Sequence, residues 1–323
     1  MRPDSLIKLL QSVKKQTIYP NEILIIDGST NLQTEDILKK NSFENLQYFK
    51  VNQENRGLTK QRNFGINEVN SHSEIICFLD DDIVLTEDYF EKLLSTYDRF
   101  PDSLGVGGYI INESVWKFVG NNYQPTINDF YFDKWLIKEG NRHVARKYLG
   151  LDSPNPPGFS SNFSHGRTIG FLPPSDKTYQ VEQLMGGVSS FRKNVFDTTK
   201  FSTYFVGYGL YEDSDFSIRL AKTGKLYCNT AAKLYHYHDQ AGRPNQFQYG
   251  KMVVRNGWYV WRVKNPKPAF KHKVKWHLIT ILLTIIRFIN TFTTNKKQEA
   301  FTEAIGRTAG WCSLLWNKPK IKN

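Results

Sequence analysis

The feature that most constrains this chain is an apolar strand that ends in three consecutive carboxylates. Residues 74–79 (EIICFL) read as a buried β-strand, and Asp80, Asp81 and Asp82 follow directly. Adjacent carboxylates raise one another's pKa unless a cation relieves them, as Mg²⁺ or Mn²⁺ does with oxygen ligands. Ligands of open α/β sheets gather at the carboxyl ends of strands, so we predict a divalent-metal site here. The alternative is a loop in which Asp82 or Thr86 only caps the next helix.

The first hundred residues alternate between helical and strand patterns. Helices are predicted from Pro3, over residues 32–40 and over residues 58–69, with strands at 22–26, 46–51 and 74–79. Repeated βα units of this kind predict an α/β fold with a mostly parallel sheet flanked by helices.

Residues 109–180 break this alternation, because they are rich in Asn, Pro, Gly and aromatic residues. We predict a long irregular insertion of the kind that forms functional lids or binding walls. Its aromatic residues could line such a wall or serve ordinary core packing, and both interpretations stay open. They are Trp116, Phe130, Tyr131, Phe132 and Trp135.

Charge divides the chain into a neutral body and a basic tail. The 323 residues carry a formal charge of +12, and residues 251–323 hold 15 Lys and Arg against two Glu, a net +13 that leaves −1 for residues 1–250. We therefore predict a neutral body over 1–250 and a basic helical tail over 251–323 that meet different partners. The three cysteines are scattered, which predicts neither a disulfide framework nor a zinc site and fits a reducing, cytoplasmic setting.

The tail contains an amphipathic helix at residues 276–292 (WHLITILLTIIRFINTF). Its polar stripe consists of His277, Thr280, Thr284, Arg287 and Thr291, and its apolar face of Leu278, Ile281, Leu282, Ile285 and Ile289. We predict that it lies in the interface of an anionic membrane, because its uncharged stretch is shorter than the ~20 residues of a spanning helix. In the alternative, the apolar face packs on the protein's own core. Nucleic acid is a third candidate partner, but no recognised binding module accompanies the charge and we expect none.

Two further patterns point to chemistry. Glycines precede a helix start crowded with acids, Glu212, Asp213 and Asp215. These acids suit the helix macrodipole, and one of them held rigidly could also act as a general base. Residues 232–238 alternate like a strand, so His236 and His238 share a face where they could bind a metal or a phosphate, or serve only structure.

Six motifs in one order carry a family resemblance. They are Ile25 to Ser29, Asn55 to Leu58 with Arg62 to Gly65, Phe78 to Asp82, Gly186-Gly187 with Phe191-Arg192, Tyr211 to Phe216 with Arg219, and Ala232 to His236. Together they resemble family 2 glycosyltransferases of the GT-A fold, and the end of the chain is more loosely similar to bacterial members that build surface polysaccharides.

The resemblance implies a role for each matching residue. On the donor side, Asp27 would bind the nucleotide base, Arg62 and Asp81 would support the nucleotide, Asp80 would face the ribose, and Gly186 and Gly187 would let backbone approach the donor sugar. Asp82 and His236 would hold Mn²⁺ or Mg²⁺, and Asp213, with Glu212 beside it, would deprotonate the acceptor hydroxyl.

The implied activity is an inverting, metal-dependent transfer of a hexosyl or deoxyhexosyl group. The donor would be a nucleotide sugar and the acceptor a lipid-linked or polysaccharide chain at the inner face of the cell membrane. The insertion at residues 109–180 would then wall the acceptor side, where its aromatic residues could stack on sugar rings.

Two departures from the family pattern leave alternatives open. The chain begins with Met1-Arg2-Pro3, directly downstream of the family's first strand, so we expect that strand to be missing, through a misplaced start, a truncation or an impaired nucleotide pocket. Ile26-Asp27 also replaces the two adjacent acids of many relatives. A catalytically impaired membrane scaffold is the main rival interpretation. A nucleotidyltransferase is the other, although the expected Gly-rich triphosphate loop is absent from the sequence.

Overall fold

The computed structural model describes residues 2–238 and 245–321. The chain divides into two compact units, one built from Met1–Ser114 with Pro174–Ala241 and the other from Val115–Pro173 with Gly242–Asn323. This division differs from the predicted boundary at residue 250, because residues 115–173 group with the C-terminal helices.

The strands and helices are numbered separately in chain order. The strands are β1 (Ile23–Asp27), β2 (Leu46–Lys50), β3 (Ile75–Leu79), β4 (Ile83–Leu85), β5 (Ser103–Ile110), β6 (Lys117–Phe118), β7 (Asp129–Phe132), β8 (Trp135–Lys138), β9 (Thr178–Val181), β10 (Val188–Arg192) and β11 (Lys225–His236). The helices are α1 (Pro3–Lys14), α2 (Gln33–Lys39), α3 (Leu58–Glu68), α4 (Tyr89–Arg99), α5 (Asn141–Tyr148), α6 (Glu212–Leu220), α7 (Gln246–Lys264), α8 (Phe270–Thr293) and α9 (Lys297–Ser313).

The first unit confirms the predicted α/β class with a sheet flanked by helices. Its main sheet has the order β3-β10-β5-β11-β4, with β9 paired to β11, and β1 and β2 form a separate parallel pair. The prediction that the sheet is mostly parallel is wrong. Among the hydrogen-bonded strand pairs of the main sheet, only β5 and β11 are parallel, while β10 pairs antiparallel with both β3 and β5, and β4 and β9 pair antiparallel with β11. The connections between these strands are long, and local sequence periodicity carries no information on strand direction.

The core of the first unit forms where α1 and α4 pack on the sheet. The helices contribute Leu10, Tyr89 and Leu93, which are fully buried or nearly so, and the strands contribute Ile83 and Leu234. Apolar residues recur every three or four positions on α1, as an amphipathic helix requires. Two glycines of β5 matter here, because a side chain at Gly108 would overlap Tyr89 and one at Gly105 would overlap Phe191.

The second unit contains regular structure where an irregular insertion was predicted. Residues 115–173 form the antiparallel sheet β6-β8-β7 and the helix α5. The predicted aromatic residues lie in or beside this sheet and are half-buried, with Phe130 and Phe132 stacked on each other and Trp116 edge-on to Phe130.

In the same unit, α7 and α9 cross at close range. A side chain at Gly250 would collide with the carbonyl of Glu303, one at Gly306 with the carbonyl of Phe247, and one at Gly310 would lie 3.0 Å from the carbonyl of Lys251. Small residues therefore bring the two helix backbones together. Trp258, Trp261 and Trp276 form the core beside this crossing.

Candidate active site

Strand pairing places the acid triplet against the predicted glycine pair. Leu79 of β3 pairs with Val188 of β10, so the next residues on each strand, Asp80 and Gly187, face each other. The Asp80 amide donates to the Gly187 carbonyl at 3.0 Å. A side chain at Gly187 would overlap the Asp80 carboxylate. Gly187 therefore admits an acid side chain against the backbone in this structure, which is a different use from the predicted approach of the donor sugar.

The second pairing brings His236 to Asp82. Ile83 of β4 pairs with His236 of β11, and the Tyr237 amide donates to the Asp82 carbonyl at 3.0 Å. The His236 Nε2 atom lies 3.3 Å from Asp82 Oδ1. Hydrogen bonding to Asp82 and then Glu113 raises the pKa of His236 to about 9. The two residues predicted as metal ligands are thus adjacent in space.

Glu113 joins this cluster from beyond the end of β5. Its Oε1 atom lies 2.8 Å from His236 Nδ1 and 2.9 Å from His238 Nε2. Asn112 fixes the same strand end, because its side chain exchanges hydrogen bonds with the backbone of His236 at 2.8 and 3.0 Å. Glu113, His236 and His238 form a group whose ligand atoms lie within 4.8 Å of one another, as a metal-binding set requires.

Arg62 links the acid triplet to the helix start. It lies on α3 with its guanidinium over the rings of Phe78 and Phe201, at 5.7 and 5.2 Å from the centroids. Its Nη1 atom is 2.5 Å from Glu212 Oε1 and its Nη2 atom is 3.8 Å from Asp80 Oδ1.

The two acids bound by Arg62 have raised pKa values. Burial raises the pKa of Glu212 to about 8, against the opposing charge of Arg62. Burial also raises the pKa of Asp80, with Asp82 and Asp81 adding to the effect and Arg62 opposing it. Glu212, 4% exposed, is therefore a buried partner of Arg62.

Asp213 lies at the start of α6 beside the glycine pair. Its Oδ2 atom accepts a hydrogen bond from the Gly186 amide at 3.1 Å, and its Oδ1 atom accepts one from the Ser214 amide at 2.7 Å. A side chain at Gly186 would overlap Arg62 and Glu212. These bonds hold the Asp213 carboxylate rigidly. Gly186 bonds to Asp213 and the next residue, Gly187, bonds to Asp80, so the glycine pair connects the two acids.

Asp27, the predicted base-binding residue, is fully buried at the end of β1. Its carboxylate accepts hydrogen bonds from the Ser29 amide, the Ser29 hydroxyl and the Tyr48 hydroxyl, at 2.8 to 2.9 Å. Burial would raise the pKa of Asp27, but the bonds from Ser29 and Tyr48 outweigh it and the pKa is lowered.

Arg2 supplies a positive charge to the triplet. Its Nε and backbone amide bond to Asp81 at 2.9 and 3.0 Å, its Nη2 also contacts Asp81, and its Nη1 lies 2.8 Å from Asp82 Oδ2. Asp81, predicted on the nucleotide side, therefore pairs with a cation in this structure.

The donor set at Asp82 and His236 fits a divalent ion. A carboxylate oxygen and an imidazole nitrogen 3.3 Å apart can both approach an ion at the roughly 2.1 Å bond lengths that Mn²⁺ or Mg²⁺ uses. Mixed oxygen and nitrogen donors suit manganese better than calcium. The guanidinium of Arg2 on Asp82 shows that this position accepts positive charge.

Sequence reasoning missed Glu113 and Arg2. No local motif marks Glu113, but β5 and β11 run parallel with Ile110 opposite Leu234. Residues just beyond β5 therefore lie beside the end of β11. A sequence analysis that knew this strand pairing could have predicted Glu113 as a neighbour of His236. Arg2 precedes α1 with no motif of its own.

The first half of the chain is similar to known proteins. Residues 1–152, nearly half of the chain, match the family model described as "Glycosyl transferase family 2". The predicted resemblance to family 2 glycosyltransferases is thereby confirmed.

Two curated relatives are similar to part of the chain. The chain is 34% identical over 129 residues to "Glycosyltransferase GlyA" of Streptococcus pneumoniae serotype 4, covering 39% of this chain and 18% of that relative. It is 29% identical over 139 residues to "Glucosyl-dolichyl phosphate glucuronosyltransferase" of Haloferax volcanii, covering 42% of this chain and 41% of that relative. The chain thus spans less than half the length of either.

A solved structure is also similar in part. It is titled "Crystal structure of GalNAc-T7 with UDP, GalNAc and Mn2+", with a TM-score of 0.48 at 15% identity over 78% of this chain and 45% of that one. Similarity at this level is too low to support a conclusion about fold or function.

Proposed function

We propose that this protein is a metal-dependent, inverting glycosyltransferase that moves a sugar from a nucleoside diphosphate donor to a lipid-linked or polysaccharide acceptor. The observation that supports it best is the convergence of four elements on one cluster. The end of β3, the end of β11, the buried Arg62 of α3 and the start of α6 meet around Asp80, Asp82 and Asp213. The family match over residues 1–152 supports the same activity.

Asp213 is the proposed general base. A base must be held within hydrogen-bond reach of the hydroxyl that it deprotonates, and the Gly186 and Ser214 amides fix this carboxylate in place. Deprotonation of the acceptor hydroxyl lets its oxygen attack the anomeric carbon as the bond to the diphosphate breaks. One displacement of this kind inverts the anomeric configuration and requires no nucleophile from the protein.

Glu212 and Arg62 have a positioning role in this proposal. Glu212 is buried against Arg62 and therefore cannot reach an acceptor in this arrangement. The pair anchors the first turn of α6, on which Asp213 is carried. Arg62 also lies near Asp80, where a diphosphate would benefit from a fixed positive charge.

Asp82 and His236 would hold the metal, with Glu113 orienting His236 through its Nδ1 atom. A bound Mn²⁺ or Mg²⁺ would neutralise the negative charge that develops on the departing diphosphate. The second ring nitrogen of a metal-bound histidine commonly donates to a carboxylate, as His236 can to Glu113.

Calorimetry with nucleotides tests this proposal. We expect the full chain to bind one of UDP, GDP or dTDP with measurable heat in the presence of Mn²⁺ and much more weakly when the metal is chelated. Asp82→Asn should remove the metal-dependent part of the binding, because it replaces a negatively charged metal ligand with a neutral amide. Asp102→Asn is the matched control, since Asp102 is an exposed acid paired with Lys225.

The outcomes separate the candidate functions. Metal-dependent binding that disappears in Asp82→Asn supports the transferase, and a screen of nucleotide sugars for release of nucleoside diphosphate then identifies the donor. The absence of heat with every nucleotide and metal would instead support a catalytically impaired scaffold. Binding that is equal with and without Mn²⁺ would contradict the assigned metal role of Asp82.

A further inference from the structure

The helix α8 exposes its apolar face. Between Trp276 and Thr293 every exposed residue of this fully described helix is a large hydrophobic one. They are Leu278, Ile281, Ile285, Ile289 and Phe292, at 37% to 83% exposure, and Phe270 and Val274 continue the line at the other end. Their spacing of three and four residues places all seven on one side of a helix about 36 Å long at 1.5 Å per residue. We name these seven residues the apolar stripe.

The polar side of α8 faces the protein. Arg287 Nε lies 2.7 Å from Glu303 of α9, and the Trp311 indole donates to His277 Nδ1 at 3.0 Å. Thr280 and Thr284 turn back to the helix carbonyls four residues earlier. Four of the five residues of the predicted apolar face are exposed, namely Leu278, Ile281, Ile285 and Ile289, while Leu282 packs against the cluster of Leu151, Phe163 and Ile279. Packing on the protein therefore accounts for only one edge of that face.

The apolar surface continues onto α9. Phe288 of α8 meets Phe301 of α9 edge-on, with ring centroids 6.1 Å apart, and Ile305 follows Phe301 on the same side of α9. Phe301 is 48% exposed and Ile305 is 39% exposed. The exposed apolar residues of the two helices therefore form one continuous patch, unlike the single scattered apolar residues of an ordinary protein surface.

Positive charge lies beside the first turn of α8, at one end of this surface. Lys271 and Lys273 are exposed on the first turn of α8, beside Phe270 and Val274. Residues 251–323 as a whole carry 15 Lys and Arg against two Glu. The apolar stripe beside exposed lysines matches the surface of an anionic bilayer, where acyl chains lie beneath negative headgroups.

We propose that the apolar stripe binds the surface of an anionic lipid membrane, with α8 lying in the plane of the interface and Lys271 and Lys273 on the headgroups. This site is separate from the proposed catalytic cluster, so it stands whether or not the transferase assignment is correct. Anionic lipid is concentrated in the cytoplasmic leaflet, which makes that leaflet the expected location.

Two other occupants fit the observations less well. A second copy of the chain would bring another strongly basic tail against the first, and like charges oppose that contact. A membrane-spanning α8 would satisfy the length and composition requirements, since its mean hydropathy is 1.4 over an 18-residue window of which 11% is buried. However, Arg287 and the polar side are engaged with α9, which contains the buried Glu303, so lipid cannot surround α8.

Vesicle sedimentation of the full chain tests the proposal. We expect the protein to pellet with phosphatidylcholine vesicles containing phosphatidylglycerol, and to bind pure phosphatidylcholine far more weakly. The variant Ile281→Gln/Ile285→Gln/Ile289→Gln should lower the partition coefficient at least tenfold. All three side chains are exposed and Gln suits a helix, so the fold should persist, as circular dichroism can check. Ile18→Gln/Leu32→Gln/Val115→Gln is the matched control, with three exposed apolar residues outside the stripe.

The charge contribution has its own variant. Lys271→Gln/Lys273→Gln should weaken binding to the anionic vesicles by about 30-fold and leave binding to neutral vesicles unchanged, since each basic residue near the surface contributes about a fivefold factor. Lys275 is kept, because it bonds to the Gly150 carbonyl and lies over the Phe163 ring.

Each remaining outcome overturns the proposal. Equal pelleting of the wild-type and triple-Gln proteins would show that the apolar stripe does not contribute to membrane binding. A protein that ignores anionic vesicles but sediments as a dimer, which the triple-Gln variant disrupts, would assign the stripe to a second copy. Retention in the membrane after alkaline carbonate extraction would assign α8 as a spanning helix.

Discussion

Both units of this protein bury carboxylates against arginine, and they do so in different ways. In the second unit the Glu139 side chain is fully buried between Lys147 and Arg167, and Arg167 also pairs with Asp152. These four side chains balance in charge, and the buried Arg146, which interacts with Asp152 and Glu139, adds a further cation. In the first unit the acids outnumber the cations near them. The acids are Asp80, Asp81, Asp82, Glu113, Glu212 and Asp213, and the cations are Arg2, Arg62 and His236 when protonated.

The difference separates a structural ion network from a site prepared for a ligand. A buried network in which every acid is paired with a cation of the protein needs no added cation. Burial raises the pKa values of Asp80 and Glu212, and the neighbouring carboxylates add to that effect. A bound cation would relieve the cost of holding these acids ionised. Perturbed pKa values of this kind are typical of functional sites.

The largest expected effect tests the functional side of this comparison. Asp213→Asn should lower the turnover number by a factor of about 10² to 10⁴, because the amide cannot accept the acceptor's proton. The nucleotide affinity measured by calorimetry should be unchanged, since the amide can keep the hydrogen bond from Gly186. Ser95→Ala is a distant surface control on α4. Full activity in Asp213→Asn would show that the base lies elsewhere.

The structural side is tested by Arg167→Met. Removing this buried guanidinium leaves Glu139 and Asp152 without their shared partner, and such a loss costs about 3–5 kcal/mol. Chemical denaturation should report this as a fall in the free energy of unfolding. Metal-dependent nucleotide binding, measured below the transition, should remain. A variant of normal stability that loses nucleotide binding would reverse the roles given to the two networks.

A smaller effect concerns pH and the histidine beside the second network. His143 is buried against Phe171, and burial together with Arg142 and Arg167 lowers its pKa to about 3. The unfolded chain therefore binds this proton below pH about 6.5 while the folded protein does not, so stability falls as the pH drops from 6.5 towards 3.

The matching variant is His143→Gln, which has no titrating ring. The wild-type protein should lose about 1–2 kcal/mol more stability than the variant between pH 7 and pH 5, as measured by urea denaturation at each pH. His72→Gln, a change of an exposed histidine, should keep the wild-type slope. Identical slopes for His143→Gln and wild type would show that His143 is not the source of the acid sensitivity.

The smallest effect concerns Arg2. Its guanidinium occupies Asp81 and Asp82, so it competes with a metal for the same carboxylates. Arg2→Ala should increase the affinity for Mn²⁺ by about 3- to 10-fold, as the loss of a partly exposed ion pair allows. Isothermal titration of Mn²⁺ into the protein measures this affinity. Arg99→Ala, a change of another arginine in the same unit, is the control. A weaker Mn²⁺ affinity in Arg2→Ala would mean that Arg2 supports the site.

Much of the first unit could be predicted from sequence because its signals are local. The helix from Pro3, the strand ending at Asp27 and the strand before the acid triplet agree with the structure to within about two residues, since hydrophobic period and caps identify such elements. The direction of β10 could not be predicted, because it enters the sheet between β3 and β5 from far along the chain.

The candidate site divides in the same way. Asp82 and His236 stand in recognisable motifs, and the structure places them together. Glu113 has no motif and reaches His236 only because β5 and β11 pair. On α8 the sequence predicted two faces but not which one meets the protein. That choice depends on Glu303 and Trp311, residues of another helix.

The close crossing of α7 and α9 has a consequence for surface anchoring. Gly250, Gly306 and Gly310 let the two backbones touch, and α8 packs on α9. A methyl group at Gly306 would push α7 and α9 apart and change the orientation of α8, which packs on α9. A mutational scan for loss of lipid attachment should therefore score these three glycines among its hits, although none of them would ever meet an acyl chain.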